Sequence, residues 1–236
     1  MNFKAQIPNL LTLTNLASGF IGIVLILENL PEWAFLCLFV CLVADVLDGL
    51  TARLLRVSGE LGAQLDSLAD LVSFGALPSL LFYHTATATA SDHQIILIGV
   101  CAIYVCCAAY RLGRFNVSPG SSNHFEGLPS PAAGLAVFSL CLPFLYPELS
   151  SGILYWELGL WTLPLILFLG FLMVSRITFI SLKFSSYQWK KALPQYLVLI
   201  AFPACIVIFG LPGIAVGILG YLVISITFHL LNFYRE

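Results

Sequence analysis

Long apolar runs, each ended by a short polar break, occupy most of this chain of 236 residues. About 20 consecutive apolar residues are enough for a helix to cross a lipid bilayer. The chain offers about eight such runs, and we predict helices at residues 8–28, 32–56, 62–83, 94–115, 130–147, 156–176, 193–210 and 212–231. The composition agrees, since 60% of the residues are hydrophobic and only 9% are charged, against about a quarter charged in a soluble domain. The sequence therefore predicts an all-α, polytopic transmembrane bundle.

The charged residues predict how this bundle lies in the membrane. If successive helices alternate in direction, the ten basic residues all fall on one side: Lys4, Arg53, Arg56, Arg111, Arg114, Arg176, Lys183, Lys190, Lys191 and Arg235. The opposite loops carry only carboxylates: Glu28, Glu32, Asp92, Glu148 and Glu157. Because basic loops remain in the cytoplasm, we predict a multi-pass protein of the cell (inner) membrane with both termini cytoplasmic. The chain has no basic tract, so we expect no nucleic-acid partner.

Four carboxylates interrupt this apolar sequence within residues 45–70: Asp45, Asp48, Asp66 and Asp70. The first two are three residues apart and the last two are four apart, so each pair shares one face of a helix. Two helices joined by a short turn would bring the pairs together. Converging carboxylates tolerate burial only with cations between them, and oxygen-rich sites suit Mg²⁺ or Mn²⁺. The alternative, four carboxylates on a solvated loop, is disfavoured by the long apolar flanks.

The depth of these carboxylates predicts an intramembrane cleft. Asp45 lies eleven residues before Arg56, which is about 16 Å along a helix. If Arg56 marks the membrane interface, Asp45 lies at the level of the hydrocarbon. A carboxylate at that depth must face a hydrated cavity between helices. We therefore expect an active site in a cleft that opens to the cytoplasm.

Eight positions of the same stretch fit the spacing Asp-x2-Asp-Gly-x2-Ala-Arg-x8-Gly-x3-Asp-x3-Asp: Asp45, Asp48, Gly49, Ala52, Arg53, Gly62, Asp66 and Asp70. This spacing resembles the signature of the CDP-alcohol phosphotransferases. Members of that family displace CMP from a CDP-activated lipid or alcohol and use two divalent metal ions. The resemblance implies that the four aspartates hold two Mg²⁺ or Mn²⁺ ions. It also implies that Asp70 acts as the general base on the hydroxyl of the acceptor.

The first predicted helix carries a polar stripe made of Asn9, Thr12 and Asn15, which are spaced at i, i+3 and i+6. Such a stripe can form hydrogen bonds between helices, or it can contact the nucleotide-lipid. The resemblance favours the second alternative, because the equivalent helix borders the site in the family. We therefore include Asn9 and Thr12 among the candidate ligands of the CDP-lipid.

Small residues beside the carboxylates complete the candidate CDP-lipid site. Gly49 and Ala52 leave room for a base and ribose, although small residues also allow tight helix packing. Arg53 would bind a phosphate. Ser58 and Gly62 belong to a turn that leads into the third helix, and helix N-termini favour anions.

Softer matches extend the resemblance beyond the aspartates. They are Ile-Pro-Asn-Leu-Leu-Thr-Leu-Thr-Asn at 7–15, Arg-Leu-Gly-Arg-Phe-Asn at 111–116, Gly-Leu-Pro-Ser-Pro-Ala-Ala at 127–133 and Val-Ser-Arg at 174–176. These segments resemble the phosphatidylserine synthase branch of the family. We predict one integral membrane domain over 1–236, with a family core at about 8–176 and additional helices at about 193–231.

The resemblance to this branch implies the reaction and its acceptor. The phosphatidyl group of CDP-diacylglycerol would move directly to the hydroxyl of L-serine, giving phosphatidylserine and CMP. Arg111, Arg114, Asn116 and Arg176 lie on the predicted cytoplasmic side and are candidates for the acceptor carboxylate or the lipid phosphate, although arginines at helix ends can also be interfacial anchors. Besides these substrates, we expect contact with membrane lipid and, by resemblance, a homodimer.

Two alternatives remain open at the level of sequence. A sister transferase would use the same aspartates with another acceptor, such as glycerol 3-phosphate or an inositol phosphate. A divalent-cation transporter would use the aspartates as a transport site. Against the transporter, the carboxylates form one contiguous motif and do not occur in matching halves of an inverted repeat.

Overall fold

The computed structural model describes residues 3–57, 59–88, 91–117, 125–146, 162–179, 200–210 and 213–230. Within these ranges the α-helices are α1 (Phe3–Leu27), α2 (Ala34–Leu55), α3 (Glu60–Asp70), α4 (Leu77–Thr87), α5 (Gln94–Val117), α6 (Ser130–Leu145), α7 (Thr162–Val174), α8 (Ile200–Phe209) and α9 (Gly213–Leu230). Short 3₁₀ turns at Pro31–Trp33 and Ser91–His93 precede α2 and α5, and a π-helix at Leu71–Ala76 joins α3 to α4. The prediction of a helical membrane bundle is confirmed.

Four segments are long and apolar enough to cross a membrane: Gln6–Leu27, Pro31–Leu55, Glu60–Thr87 and Gln94–Val117. The third segment exceeds the predicted helix because α3, the π-helix and α4 continue one another without a break. The later apolar helices α6 to α9 are shorter in the described part of the chain. The protein is therefore a multi-pass membrane protein. Residues 147, 156–161, 193–199, 212 and 231 of the predicted helices lie outside the described residues.

The turn between α2 and α3 forms the predicted helical hairpin. Helix α2 ends at Leu55. The next residue, Arg56, caps the helix in the left-handed conformation (φ 52°, ψ 42°) and donates its N–H to carbonyls of the last turn. This conformation is unfavourable for a residue with a side chain. Because it cannot continue a right-handed helix, α2 ends abruptly here. Glu60 is the first residue of α3. A carboxylate at this position interacts favourably with the positive, N-terminal end of the helix dipole.

Small residues let α1 pack closely against the segment that follows the aspartates. A side chain at Gly19 would place its Cβ 2.6 Å from the Ser73 hydroxyl, and one at Gly22 would lie 2.9 Å from Leu77. In lipid, the hydrophobic effect does not drive one helix to contact another, because acyl chains are equally apolar. Close packing of the two backbones stabilises the helix pair instead. Helix α1 thereby lies against α2, α3 and the π-helix together.

The π-helix is held from two further sides. The Tyr104 hydroxyl of α5 donates to the Phe74 carbonyl at 3.3 Å, and Gly134 of α6 packs so closely that a Cβ there would lie 2.7 Å from the same carbonyl. Single π-helical turns are frequent near functional sites. Here the turn begins immediately after Asp70, so its packing determines where that carboxylate lies.

A pair of two-residue strands joins the segments that follow α5 and α7. Strand β1 (Phe125–Glu126) pairs antiparallel with β2 (Thr178–Phe179), and the Gly127 N–H donates to the Ile177 carbonyl at 2.9 Å. Gly127 has φ 79° and a side chain there would collide with the Met173 carbonyl. The sequence did not predict these strands, because their pairing depends on how α5 and α7 pack.

Candidate metal centre and active-site cleft

Three of the four aspartates converge between α2 and α3. Carboxylate oxygens of Asp45, Asp48 and Asp66 all lie within 4.8 Å of one another. The first two share a face of α2 because they are three residues apart, and the short turn brings Asp66 of α3 opposite them. Asp48 is buried, and the other two are partly buried. Like charges at this separation repel strongly in a region of low dielectric.

The chemistry of this cluster fits a divalent metal ion. Oxygen ligands from carboxylates are those that Mg²⁺ and Mn²⁺ prefer. One oxygen of Asp66, Oδ1, is buried and accepts no hydrogen bond from any described residue. A buried acceptor that lacks a donor is unusual, and a cation between the three carboxylates would both satisfy it and offset their repulsion.

Asp70 lies one helical turn beyond Asp66 and outside that cluster of oxygens. It is buried, with 7% of its surface exposed. Its Oδ1 accepts a hydrogen bond from the Asn15 side-chain amide at 3.5 Å. The structure thus places Asp70 beside the metal candidates, at the inner end of the site.

Thr12 orients one member of the cluster. Its hydroxyl lies 2.6 Å from Asp48 Oδ2 and 3.1 Å from the Pro8 carbonyl. A hydroxyl has one proton, and a charged acceptor at the shorter distance forms the stronger hydrogen bond. Thr12 therefore donates to Asp48 and restricts the rotation of that carboxylate.

The cluster borders a cavity of about 730 Å³ between α1, α2 and α3. The described residues that we predicted to contact the CDP-lipid all line it: Asn9, Thr12, Gly49, Ala52, Arg53 and Gly62. Ser58, the other member of that prediction, lies outside the described residues. Asp48 and Asp66 also face the cavity, so a ligand there would reach the carboxylates.

The wall of the cavity combines small residues with cationic ones. Arg53 donates from Nε to the Gly49 carbonyl at 2.9 Å, which holds its guanidinium along α2. A Cβ at Gly62 would lie 3.2 Å from Asn9 Oδ1, so any larger residue would displace the Asn9 side chain. Arg56, which the site prediction did not include, also lines the cavity. Its position three residues after Arg53, on the same predicted helix as the first aspartate pair, was the available signal.

The three candidate arginines lie in different surroundings. Arg111 is buried, with 9% of its surface exposed, and it donates from a terminal nitrogen to the Ser130 hydroxyl at 3.0 Å. Its Nε is buried without an acceptor among the described residues. Arg176, after the end of α7, is exposed. Arg111 lies on α5 between Tyr104, which bonds to the Phe74 carbonyl, and Asn116, which bonds to Ser67, so it is close to the level of Asp70 along the helix.

Arg114 and Asn116 bond to neighbouring helices. Arg114 donates to the carbonyls of Val174 and Ser175 at 2.9 Å and 3.3 Å, which joins α5 to the end of α7. Asn116 donates to Gln64 at 3.2 Å, and it accepts a hydrogen bond from the Ser67 hydroxyl at 3.1 Å. Both contacts tie the end of α5 to another helix. Like Arg111 and Arg176, neither residue lines the cavity between α1, α2 and α3.

The comparison with known proteins decides the family. The model of the CDP-alcohol phosphatidyltransferase family matches residues 5–165, which is more than half of the chain. The chain belongs to this family. The predicted resemblance is therefore confirmed, and the matched region contains all four aspartates and the whole lining of the cavity.

Three curated relatives show how similar this chain is to proteins of known name. An archaetidylserine synthase from Methanothermobacter thermautotrophicus is 36% identical over 149 residues, covering 62% of this chain and 62% of that protein. A CDP-diacylglycerol–serine O-phosphatidyltransferase from Bacillus subtilis is 35% identical over 140 residues, covering 58% of this chain and 76% of the relative. A protein of the same name from Helicobacter pylori is 32% identical over 224 residues, covering 93% of this chain and 89% of the relative.

Proposed function

We propose that this protein is a CDP-diacylglycerol–serine O-phosphatidyltransferase. The serine hydroxyl oxygen forms a bond to the lipid-side phosphorus of CDP-diacylglycerol, and the bond from that phosphorus to the CMP oxygen breaks. The observation that carries the proposal is the cluster of Asp45, Asp48 and Asp66 at a cavity lined by Arg53. Relatives with this activity in their names support the choice of reaction.

Two divalent ions, Mg²⁺ or Mn²⁺, would be held by Asp45, Asp48, Asp66 and Asp70. When bound, they neutralise the diphosphate and the leaving CMP. At least one of these ligands is oriented without the ions, because the Thr12 hydroxyl donates a hydrogen bond to Asp48 Oδ2 at 2.6 Å. Ligands that are already oriented bind a metal more tightly and position the substrate more accurately.

The CDP moiety occupies the cavity between α1, α2 and α3. Its volume of about 730 Å³ falls within the range of about 300–1,000 Å³ that is usual for small-molecule sites. Arg53 binds a phosphate, and the small residues Gly49, Ala52 and Gly62 leave space for the base and ribose. Asn9 lies against Gly62 and contributes a polar group to the same wall.

Asp70 serves as the general base. It lies at the inner end of the cluster, and its Oδ1 is already engaged by Asn15. Its other oxygen takes the proton of the serine hydroxyl as that oxygen attacks phosphorus. The displacement is direct, so inversion of configuration at phosphorus is expected.

Arg111 binds the carboxylate of serine. Arg114 already donates to two backbone carbonyls, and Arg176 is exposed at the end of α7. Arg111 combines burial, at about the level of Asp70 along α5, with an Nε that lacks an acceptor among the described residues. A buried guanidinium binds a carboxylate through two parallel hydrogen bonds, which would place the serine hydroxyl toward the base.

The protein forms one domain over 1–236 and acts as a homodimer in membrane lipid.

The protein lies in the inner membrane with both termini in the cytoplasm. The one-sided distribution of Lys and Arg supports this orientation. A cysteine introduced at Arg56 should react with impermeant reagents from the cytoplasmic side alone. Reaction from the outside would overturn the orientation and separate the cleft from cytosolic serine.

The acceptor is tested with purified protein and labelled CDP-diacylglycerol. CMP release should require serine, and glycerol 3-phosphate or an inositol phosphate should not replace it. Release with glycerol 3-phosphate but not serine would refute the proposed acceptor. Mn²⁺ uptake by proteoliposomes without CDP-lipid, together with no CMP release, would favour transport instead.

A further inference from the structure

A buried amide on α1 meets the candidate base. Asn15 has 0% of its surface exposed, and its side-chain N–H donates to Asp70 Oδ1 at 3.5 Å. Asn15 is fully covered and does not line the cavity, so a ligand that occupied the cavity would not contact it. Any effect of this side chain on the reaction must therefore pass through Asp70.

The backbone of Asn15 is held from two sides. Its carbonyl accepts a hydrogen bond from the Cys41 thiol of α2 at 3.3 Å and one from the Ser73 hydroxyl of the π-helix at 3.2 Å. One turn further along α1, Gly19 lies against Ser73 without room for a side chain. The amide of Asn15 is thus presented to Asp70 from a position that α2 and the π-helix jointly fix.

The orientation of the amide leaves one polar atom unpaired. A carboxylate only accepts hydrogen bonds, so the N–H of Asn15 faces Asp70 and its carbonyl oxygen points elsewhere. That oxygen is buried and accepts no hydrogen bond from any described residue. An unpaired buried acceptor is costly, and an apolar side chain would avoid that cost while it filled the same space. Packing alone therefore does not explain an amide at this position.

We propose that Asn15 is a positioning residue for Asp70. By holding Oδ1, it sets the rotation of the carboxylate and leaves Oδ2 as the oxygen available to the acceptor hydroxyl. This inference rests on the proposed function, since it assigns Asp70 a role in the same reaction.

The test compares Asn15→Leu and Asn15→Ala with Ser18→Ala. Ser18 is a matched control, because it is buried on the same helix and its hydroxyl bonds to the Cys37 carbonyl of α2 at 3.0 Å. Turnover is expressed per chain that binds Mn²⁺, measured by paramagnetic resonance of the free ion. This normalisation removes any loss of folded protein, which a purely structural residue would also cause.

We expect both Asn15 variants to lower kcat per Mn²⁺-binding chain by about 10–100-fold, the usual effect of losing a partner that orients a functional group. The KM values for CDP-diacylglycerol and serine should stay within about threefold, and Ser18→Ala should keep kcat within about twofold. If Asn15→Leu does not fold, Asn15→Ala carries the measurement.

Two results would overturn the inference. In the first, the Asn15 variants bind fewer Mn²⁺ ions but keep normal kcat per binding chain, which indicates a structural role. In the second, Ser18→Ala loses as much kcat as they do. The proposed function fails separately, when the unaltered protein releases no CMP with serine. In that case the same comparison is made with whichever acceptor the protein uses, and absence of release with every acceptor refutes both proposals.

Discussion

Two regions that flank Asp70 use their polar residues in opposite ways. In the hairpin of α2 and α3, three carboxylates converge and Asp66 Oδ1 has no hydrogen-bond partner among the described residues. In the corner formed by α5, α7 and the two strands, Arg114 donates to two carbonyls and Gly127 to a third. Polar groups left unpaired retain the capacity to bind a ligand, whereas paired ones stabilise the helices that surround it.

Arg111 and Arg114 show the same contrast within one helix. They are three residues apart on α5, and both lie within the region that the family model matches. Arg114 bonds to the end of α7, while Arg111 is buried and bonds to Ser130 at the start of α6. Their different partners lead us to expect different kinetic effects from the same substitution.

The largest effect should follow from breaking the carboxylate cluster. Asp66→Asn removes one of three converging charges, so the site should lose affinity for the ions that we propose neutralise the diphosphate. We expect CMP release to fall by at least about 100-fold, and the thermal midpoint of the purified protein to be unchanged or higher because the repulsion decreases. Excess EDTA should abolish the activity of the unaltered protein reversibly. Full activity in EDTA would exclude a metal-dependent reaction.

A smaller effect should distinguish the two arginines of α5. Arg111→Lys keeps the charge but loses the planar pair of donors, so the KM for serine should rise about tenfold, equivalent to ~1.4 kcal/mol. The KM for CDP-diacylglycerol should change little. Arg114→Lys should leave the serine KM within about twofold and lower the thermal midpoint, because it weakens the contact with α7. The reverse pattern would show that the acceptor site lies in the α5–α7 corner.

The smallest effect should come from the wall of the cavity. A Cβ at Gly62 would lie 3.2 Å from Asn9 Oδ1, so Gly62→Ala should displace that side chain and raise the KM for CDP-diacylglycerol about threefold, or ~0.6 kcal/mol. Gly113→Ala is the control, since a Cβ there would meet nothing within 4 Å. Equal KM values for both variants and the unaltered protein would place the CDP moiety away from Gly62.

The family, the helical bundle and the composition of the cleft could all be predicted from sequence. Asp45 and Asp48 share a helix face because of their spacing, and the turn before Glu60 brings Asp66 opposite them. These are local properties, and helical periodicity determines them without reference to distant segments. Part of the cavity lining could also be predicted, because Gly49, Ala52 and Arg53 are close to the aspartates in the sequence.

The roles of the individual polar residues could not be predicted in the same way. Thr12 and Asn15 were a stripe on one helix with two possible uses, and the three arginines could not be told apart. The structure separates them through contacts between distant residues, such as Thr12 with Asp48 across 36 positions and Asn15 with Asp70 across 55. A periodic pattern gives the direction of a side chain around its own helix, but not what the neighbouring helix offers to it.

By itself, then, the sequence determined a membrane-spanning helical protein with paired aspartates at a helical hairpin, because hydropathy and spacing act within single segments. The tertiary structure alone decided which polar groups are engaged. The close packing of Gly19 against Ser73 and of Gly134 against Phe74 sets the π-helix that follows Asp70. The crossing of α5 and α7 then brings the Val174 and Ser175 carbonyls to Arg114, while Arg111 stays buried with an Nε that has no acceptor among the described residues.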